Sequence, residues 1–142
     1  MKNLILIFAI ITSSCQLAEP DYIYSIDKEI EPYYLEFISE GNVRGLNFTQ
    51  VSILMAFEEL PDEMLGESIK NAYTSYPKVL IDRSEWLVKS DSDRRYVVFH
   101  ELGHALLGRG HEENSESIMS SYKSAMRNFA HYPNPMINEL FE

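Results

Sequence analysis

Cysteine is nearly absent from this chain: 142 residues carry one, Cys15. Without a second thiol no internal disulfide can form, whatever the compartment permits. Basic side chains are also short, with 12 Lys and Arg against 22 Asp and Glu and a formal charge of -10. Nucleic acid, and anionic lipid approached by charge alone, both call for basic surface to offset phosphate, so neither is an expected partner. The apolar run from Leu4 to Ile11 falls well short of the roughly twenty residues that span a bilayer. Internal repeats, low-complexity tracts and a Gly-rich phosphate loop are missing. What is present is ordinary: 45% hydrophobic and 24% charged residues match a folded domain, and the length suits one domain with a single modest core, expected as a monomer.

The first residues, MKNLILIFAIITSSCQLAEP, place one lysine ahead of the apolar run and then turn small and polar, the layout of a secretory signal. Cys15 follows directly on Thr12-Ser13-Ser14, so the segment resembles a bacterial lipoprotein signal cut before a cysteine that becomes lipid-modified. It departs from that pattern at Thr12, where leucine is commonest. The organisation expected is a signal peptide over 1–14, a lipidated tether over 15–26 and a single domain over 27–142. Membrane attachment would then run through lipid on Cys15, on the periplasmic side or the surface of a bacterial envelope, because several acyl chains anchor stably where one is marginal.

Within the domain the pattern predicts an α+β fold. Ile30, Tyr34, Phe37 and Ile38 recur at helical spacing over 27–40, with Pro32 early enough to be tolerated and Gly41 as a stop. VSILMAF (51–57) and KVLID (78–82) read as strands, and a further strand is expected near 69–76. Ser90 to Asp93 has the serine-then-acid capping pattern, and a helix is predicted over 91–107, apolar nearly all round and therefore buried, ended by a left-handed Gly108. The tail predicts a helix over 122–131, a Pro-Asn-Pro break and a short last turn or helix.

HELGHALLGRGH, His100 to His111, holds three of the four histidines. His100 and His104 lie four apart on a helix, so their imidazoles leave one face about a turn apart and can grip one ion. Glu101 stands beside His100, where a carboxylate can reach water at the metal without being a ligand. A catalytic zinc site needs a third protein ligand, and His111 is the nearest candidate. Glu112, Glu113 and Glu116 are the alternatives, since a carboxylate can take that place; otherwise they read as solvated surface. Arg109 is expected to face solvent, with contact to an acidic side chain as the alternative.

These residues resemble the metzincin zinc peptidases, whose motif is HExxHxxGxxH followed by a methionine turn. SIMSSY (117–122) supplies Met119 at a matching interval after His111, with Ser117 two places before it as in astacin-like turns. The resemblance covers about 30 residues, 93 to 122, and implies a minimal zincin-like domain: a small mixed sheet, a central active-site helix and a short C-terminal helical subdomain. It further implies a Zn2+ cofactor, a peptide or protein substrate laid against an edge strand (the 66–76 region is expected), and an endopeptidase in which Glu101 activates the attacking water. Met119 would floor the ligands. Tyr122 lies one residue beyond the astacin-type tyrosine, so packing is its expected role and oxyanion stabilisation the alternative. The chain also departs from the motif between His104 and Gly108, four residues where the family has three. One more α-helical step would carry the chain about 100° and 1.5 Å further before it reverses, with Gly108 and Gly110 giving the loop freedom to return His111.

Two other readings stand beside this one. A zinc-containing envelope binding or scaffold lipoprotein would keep the ligands and hydrolyse nothing, which leaves Glu101 without a task. An interaction module with incidental histidines would be indifferent to metal. For the N-terminal segment, Cys15→Ser is expected to release the protein from membranes in a fractionation assay; equal retention would defeat the lipid anchor.

Overall fold

The computed structural model describes residues 23–70 and 76–142. The signal segment, Cys15 and most of the tether lie outside the described residues, as does the greater part of the strand expected over 69–76. None of the described helices is long and apolar enough to cross a membrane.

Four strands, β1 (Tyr24–Ile26), β2 (Ile53–Glu58), β3 (Gly66–Ile69) and β4 (Lys78–Asp82), form one sheet in the order β1-β2-β4-β3. β1 and β4 flank β2 in parallel, and β3 runs antiparallel to β4 at the edge. The α+β expectation holds, with a mixed sheet and five α-helices among the described residues. Tyr24–Ile26 corrects the tether boundary: these residues pair with Ile53–Met55 and belong to the domain. The third strand also falls earlier than expected, at 66–69.

Helix α1 (Glu31–Val43) runs past Gly41 rather than ending there. Gly41 is a packing position: a Cβ on it would lie 2.2 Å from the Phe48 ring and 3.1 Å from the Phe141 ring. The stop is Gly45, at φ +86°, where the Gly45 N–H donates to Asn42 O and the Leu46 N–H to Gly41 O, the paired bonds of a Schellman cap. Helix α1 lies beside α3 (Asp91–Leu102), with the Phe37 and Phe99 rings edge to face at 5.3 Å. Ile53, Met55, Val79 and Ile81 alternate along β2 and β4 onto one buried side of the sheet. Together with Phe37, Phe99 and Leu102 they make a continuous core.

The Ser90 cap forms as expected: its Oγ accepts the Asp93 N–H at 3.2 Å, and its own N–H donates to the Asp93 carboxylate. A short helix, α2 (Arg83–Val88), was not anticipated. Its signal is Asp82, with Glu85 three residues on: the Asp82 carboxylate accepts the Glu85 N–H and the Ser84 hydroxyl, and also the Leu60 N–H from a distant loop. After α3 and its continuation come α4 (Lys123–His131) and α5 (Pro133–Leu140). The Pro-Asn-Pro sequence is thus a helix start: Pro133 sits in the first turn, where the missing N–H is no loss.

The bonds from Ser84, Glu85 and Leu60 hold the Asp82 carboxyl down at about 2, well under its usual 3.8. Its folded value is depressed, so its stabilisation is present above the unfolded value and is lost as pH falls through the folded one. Asp82→Ala should therefore lower the denaturation midpoint at pH 7, with the gap from wild type closing between about pH 4 and pH 2. Equal midpoints at neutral pH would show that the cap carries nothing.

Candidate metal centre

The site begins with the helix that presents it. Along α3 the run Tyr96, Val97, Val98, Phe99 is buried, and His100 and Glu101 extend the same helix under β3. After Leu102 the backbone widens into a π turn over Gly103–Leu107, which carries His104. The Gly103 carbonyl accepts both the Gly108 and Arg109 N–H groups. A π turn takes in about one more residue than an α turn. The added residue between His104 and Gly108 is thereby absorbed, and the expected further α-helical step does not occur. Gly108 reverses the chain at φ +70°, as predicted, while Gly110 is not among the positive-φ glycines. One glycine makes the turn.

His100, His104 and His111 converge as the sequence suggested. His100 Nε2 lies 3.1 Å from His104 Nε2 and 3.1 Å from His111 Nε2. Each histidine offers one nitrogen to a cluster spanning at most 4.8 Å, and among the described residues it is composed of these three alone. Glu112 is turned elsewhere, onto Arg109, so the carboxylate alternative at that position is corrected. Glu113 and Glu116 also lie outside the cluster.

The second ring nitrogens decide what this convergence means. His100 Nδ1 lies 2.7 Å from the Ile118 carbonyl and His104 Nδ1 lies 2.7 Å from the Arg109 carbonyl. A carbonyl can only accept, so each Nδ1 carries the hydrogen and donates it, and a neutral ring then has a bare lone pair at Nε2. Burial is the main force holding His100 down to about 4, with repulsion from His104 and His111 adding to it; burial also lowers His104. Both rings are therefore neutral near pH 7 and aim lone pairs at each other, an arrangement that repels unless a cation lies between. Metal–nitrogen bonds of about 2.0 to 2.1 Å at tetrahedral angles set nitrogens about 3.3 to 3.4 Å apart. The observed 3.1 Å spacing is close to that figure, and the donor set fits a metal ion.

Two glycines make close approaches that the sequence reading did not assign. A Cβ on Gly103 would lie 2.4 Å from Met119 Sδ. The fully buried Met119 packs directly against the helix between the two ligand positions. The loop that delivers it is held by Glu112 N–H to Met119 O at 2.8 Å, Ser121 N–H to Glu112 O at 3.2 Å and Met119 N–H to the buried Ser117 Oγ at 3.1 Å. The signal for Gly103 was its position as the one glycine inside an otherwise unbroken helix. Gly66, at the start of β3, passes over Glu101: a Cβ there would lie 2.8 Å from Glu101 Cγ and 2.9 Å from Oε1. No local pattern marks Gly66.

Glu101 is buried, and that burial, with the nearby Glu67 carboxylate adding to it, pushes its carboxyl up to about 8. It opens, with His100 and His111, onto a cleft of about 580 Å3. Met64, Leu65, Gly66, Tyr122, Lys123 and Met126 border it, and Tyr96 and Val97 continue the helix wall. Tyr122 is exposed at this rim, which corrects the expectation that it packs. Arg109 takes the alternative reading: its guanidinium pairs with the acidic side chains of Glu112 and Glu139 rather than facing solvent.

Compared with protein-family models, curated proteins and solved structures, the chain matches none. The metal centre thus rests on its own geometry.

Adding a divalent metal to the metal-free protein should raise its melting temperature, because an ion that binds only the folded form stabilises by about 2.7 kcal/mol at a hundredfold excess over Kd. His104→Ala should lose most of that shift. An unchanged shift in the variant, read by calorimetry with and without chelator, would remove His104 from the site.

Proposed function

We propose that the chain is a zinc-dependent endopeptidase of the metzincin kind, carried on a bacterial envelope by lipid at Cys15. The observation that carries this reading is the convergence of three imidazole nitrogens beside a buried carboxyl in a cleft. His100, His104 and His111 would hold the ion, and three nitrogen ligands suit zinc in a site that keeps one position for water or substrate. Zinc bound there supplies Lewis acidity toward the scissile carbonyl and brings the pKa of its water toward neutrality.

The remaining work falls to the chain's own side chains. Glu101 takes a proton from the attacking water and returns it to the leaving amine. Positive charge near the carboxyl favours its ionised form, so its proton affinity falls from the high value set by burial toward the range a general base requires. The Ile118 and Arg109 carbonyls fix the tautomers of His100 and His104 and keep both rings aimed.

An extended peptide fits the free edge of β3, which pairs only with β4 among the described strands and borders the cleft through Gly66. Absence of a side chain at Gly66 leaves the backbone close above Glu101, where the scissile bond would lie. Leu65, Tyr96, Val97 and Met126 offer an apolar wall to a neighbouring substrate side chain. Tyr122, exposed where it lines the cleft, is the candidate to stabilise the carbonyl oxyanion.

Glu101→Gln is the deciding variant. It should keep its zinc and lose cleavage of a peptide library by about 100-fold or more, the scale of general acid–base catalysis. Equal cleavage by both proteins would end this mechanism. Full zinc occupancy with cleavage by neither would instead support the zinc-holding envelope binding protein.

A further inference from the structure

Arg109 meets the metal centre through its backbone and the C-terminal helix through its side chain. Its carbonyl accepts the His104 Nδ1–H at 2.7 Å, which sets that ring's tautomer, and its N–H donates to Gly103 O at 3.1 Å and closes the π turn. Its side chain turns the other way, toward the C-terminal end of α5. Nη1 donates to the carbonyls of Glu139 and Leu140, each at 2.9 Å, and Nη2 meets the carboxylates of Glu139 and Glu112. A cation is favoured at that end of a helix, where the last carbonyls lack partners.

The other side of this junction leads back to the site. Glu139 accepts the Ser117 hydroxyl at 2.9 Å, and the same Ser117 oxygen accepts the Met119 N–H. Glu112, paired to Arg109 by its side chain, is bonded to Met119 and Ser121 by its backbone. The segment 109–112 is thus pinned at each end, by Arg109 to α5 and by Glu112 to the methionine loop. His111 lies between the pins, next to Gly110, around which a Cβ would meet nothing within 4 Å. A ligand on so open a segment is set by what holds its flanks, since neighbouring packing does not.

We infer that Arg109 is a positioning residue of the metal centre, clamping the His111 segment to the C-terminal helix through Glu139 so that the third ligand is presented ready for the ion. The inference rests on the metal-site reading above and does not require that the protein cleave peptides. It makes α5, remote in sequence from the HELGH helix, part of the metal site. The fork is also specific: a guanidinium can serve two carbonyls and two carboxylates at once, which an ammonium cannot.

The test uses the full chain and two metals, Zn2+ for affinity and Co2+ for its visible ligand-field spectrum, in wild type, Arg109→Ala, Arg109→Lys and Glu139→Gln. Disturbing a group that orients metal ligands lowers affinity about 10- to 100-fold. Arg109→Ala should lose affinity in that range and alter the Co2+ spectrum, with Arg109→Lys and Glu139→Gln between it and wild type. Metal affinity and Co2+ spectra unchanged in all three variants, beside a lowered melting temperature of the metal-free protein, would overturn the inference and leave Arg109 as a staple for α5. If Arg109→Ala fails to fold, the Glu139→Gln and Arg109→Lys spectra decide alone. Wild-type protein that binds neither metal overturns this inference together with the metal site, whereas loss of the peptidase reading through Glu101→Gln leaves it standing.

Discussion

The lone pairs of the neutral His100 and His104 rings repel across 3.1 Å, and the site depends on what holds them there, with His111 Nε2 also 3.1 Å from His100 Nε2. The repulsion is opposed from behind each ring. Ile118 and Arg109 supply carbonyls that fix the hydrogen on Nδ1 and leave the lone pair on Nε2. Those two carbonyls come from opposite sides of the His111 segment, so the chain that brings the third histidine also orients the first two. Burial of α3 between α1, the sheet and α4 gives His100 a rigid base, and burial favours the neutral forms of His100 and His104.

Close approach has a cost in side chains, and glycine meets it at two positions. Gly103 lets Met119 come directly under the ligand helix, and Gly66 lets β3 pass over the Glu101 carboxyl. An alanine methyl at either position would meet atoms at under 3 Å, so the floor and the roof of the site are both set by a missing Cβ. The buried carboxyl between them is expensive to ionise in isolation, which couples its charge to whatever positive charge the three imidazoles hold.

Much of the site was legible because its determinants are local. The four-residue spacing of His100 and His104, the Ser90–Asp93 cap, the left-handed Gly108 and the interval to Met119 all appear within a few residues of what they determine. The KVLID strand was legible too, though its central place and its burial on both faces appear only in the structure. The misplaced elements had weaker local signals. Gly41 looked like a helix stop because glycine often is one, but its missing Cβ makes room for Phe48 and Phe141. Tyr24–Ile26 is a strand only because β2 accepts it, and Pro-Asn-Pro breaks one helix by starting the next.

By itself the sequence determined the fold class, the ligand helix and the residues able to hold an ion, because periodicity, capping and side-chain chemistry act over one or two helical turns. It also posed, without answering, where the added residue between His104 and Gly108 would go. Only the tertiary structure decided that the added residue goes into a π turn, that Arg109 reaches α5, and that Gly66 and Gly103 admit a strand and a methionine sulfur. Those outcomes depend on distances between segments far apart in the chain, which arise only when the elements pack and their backbones approach.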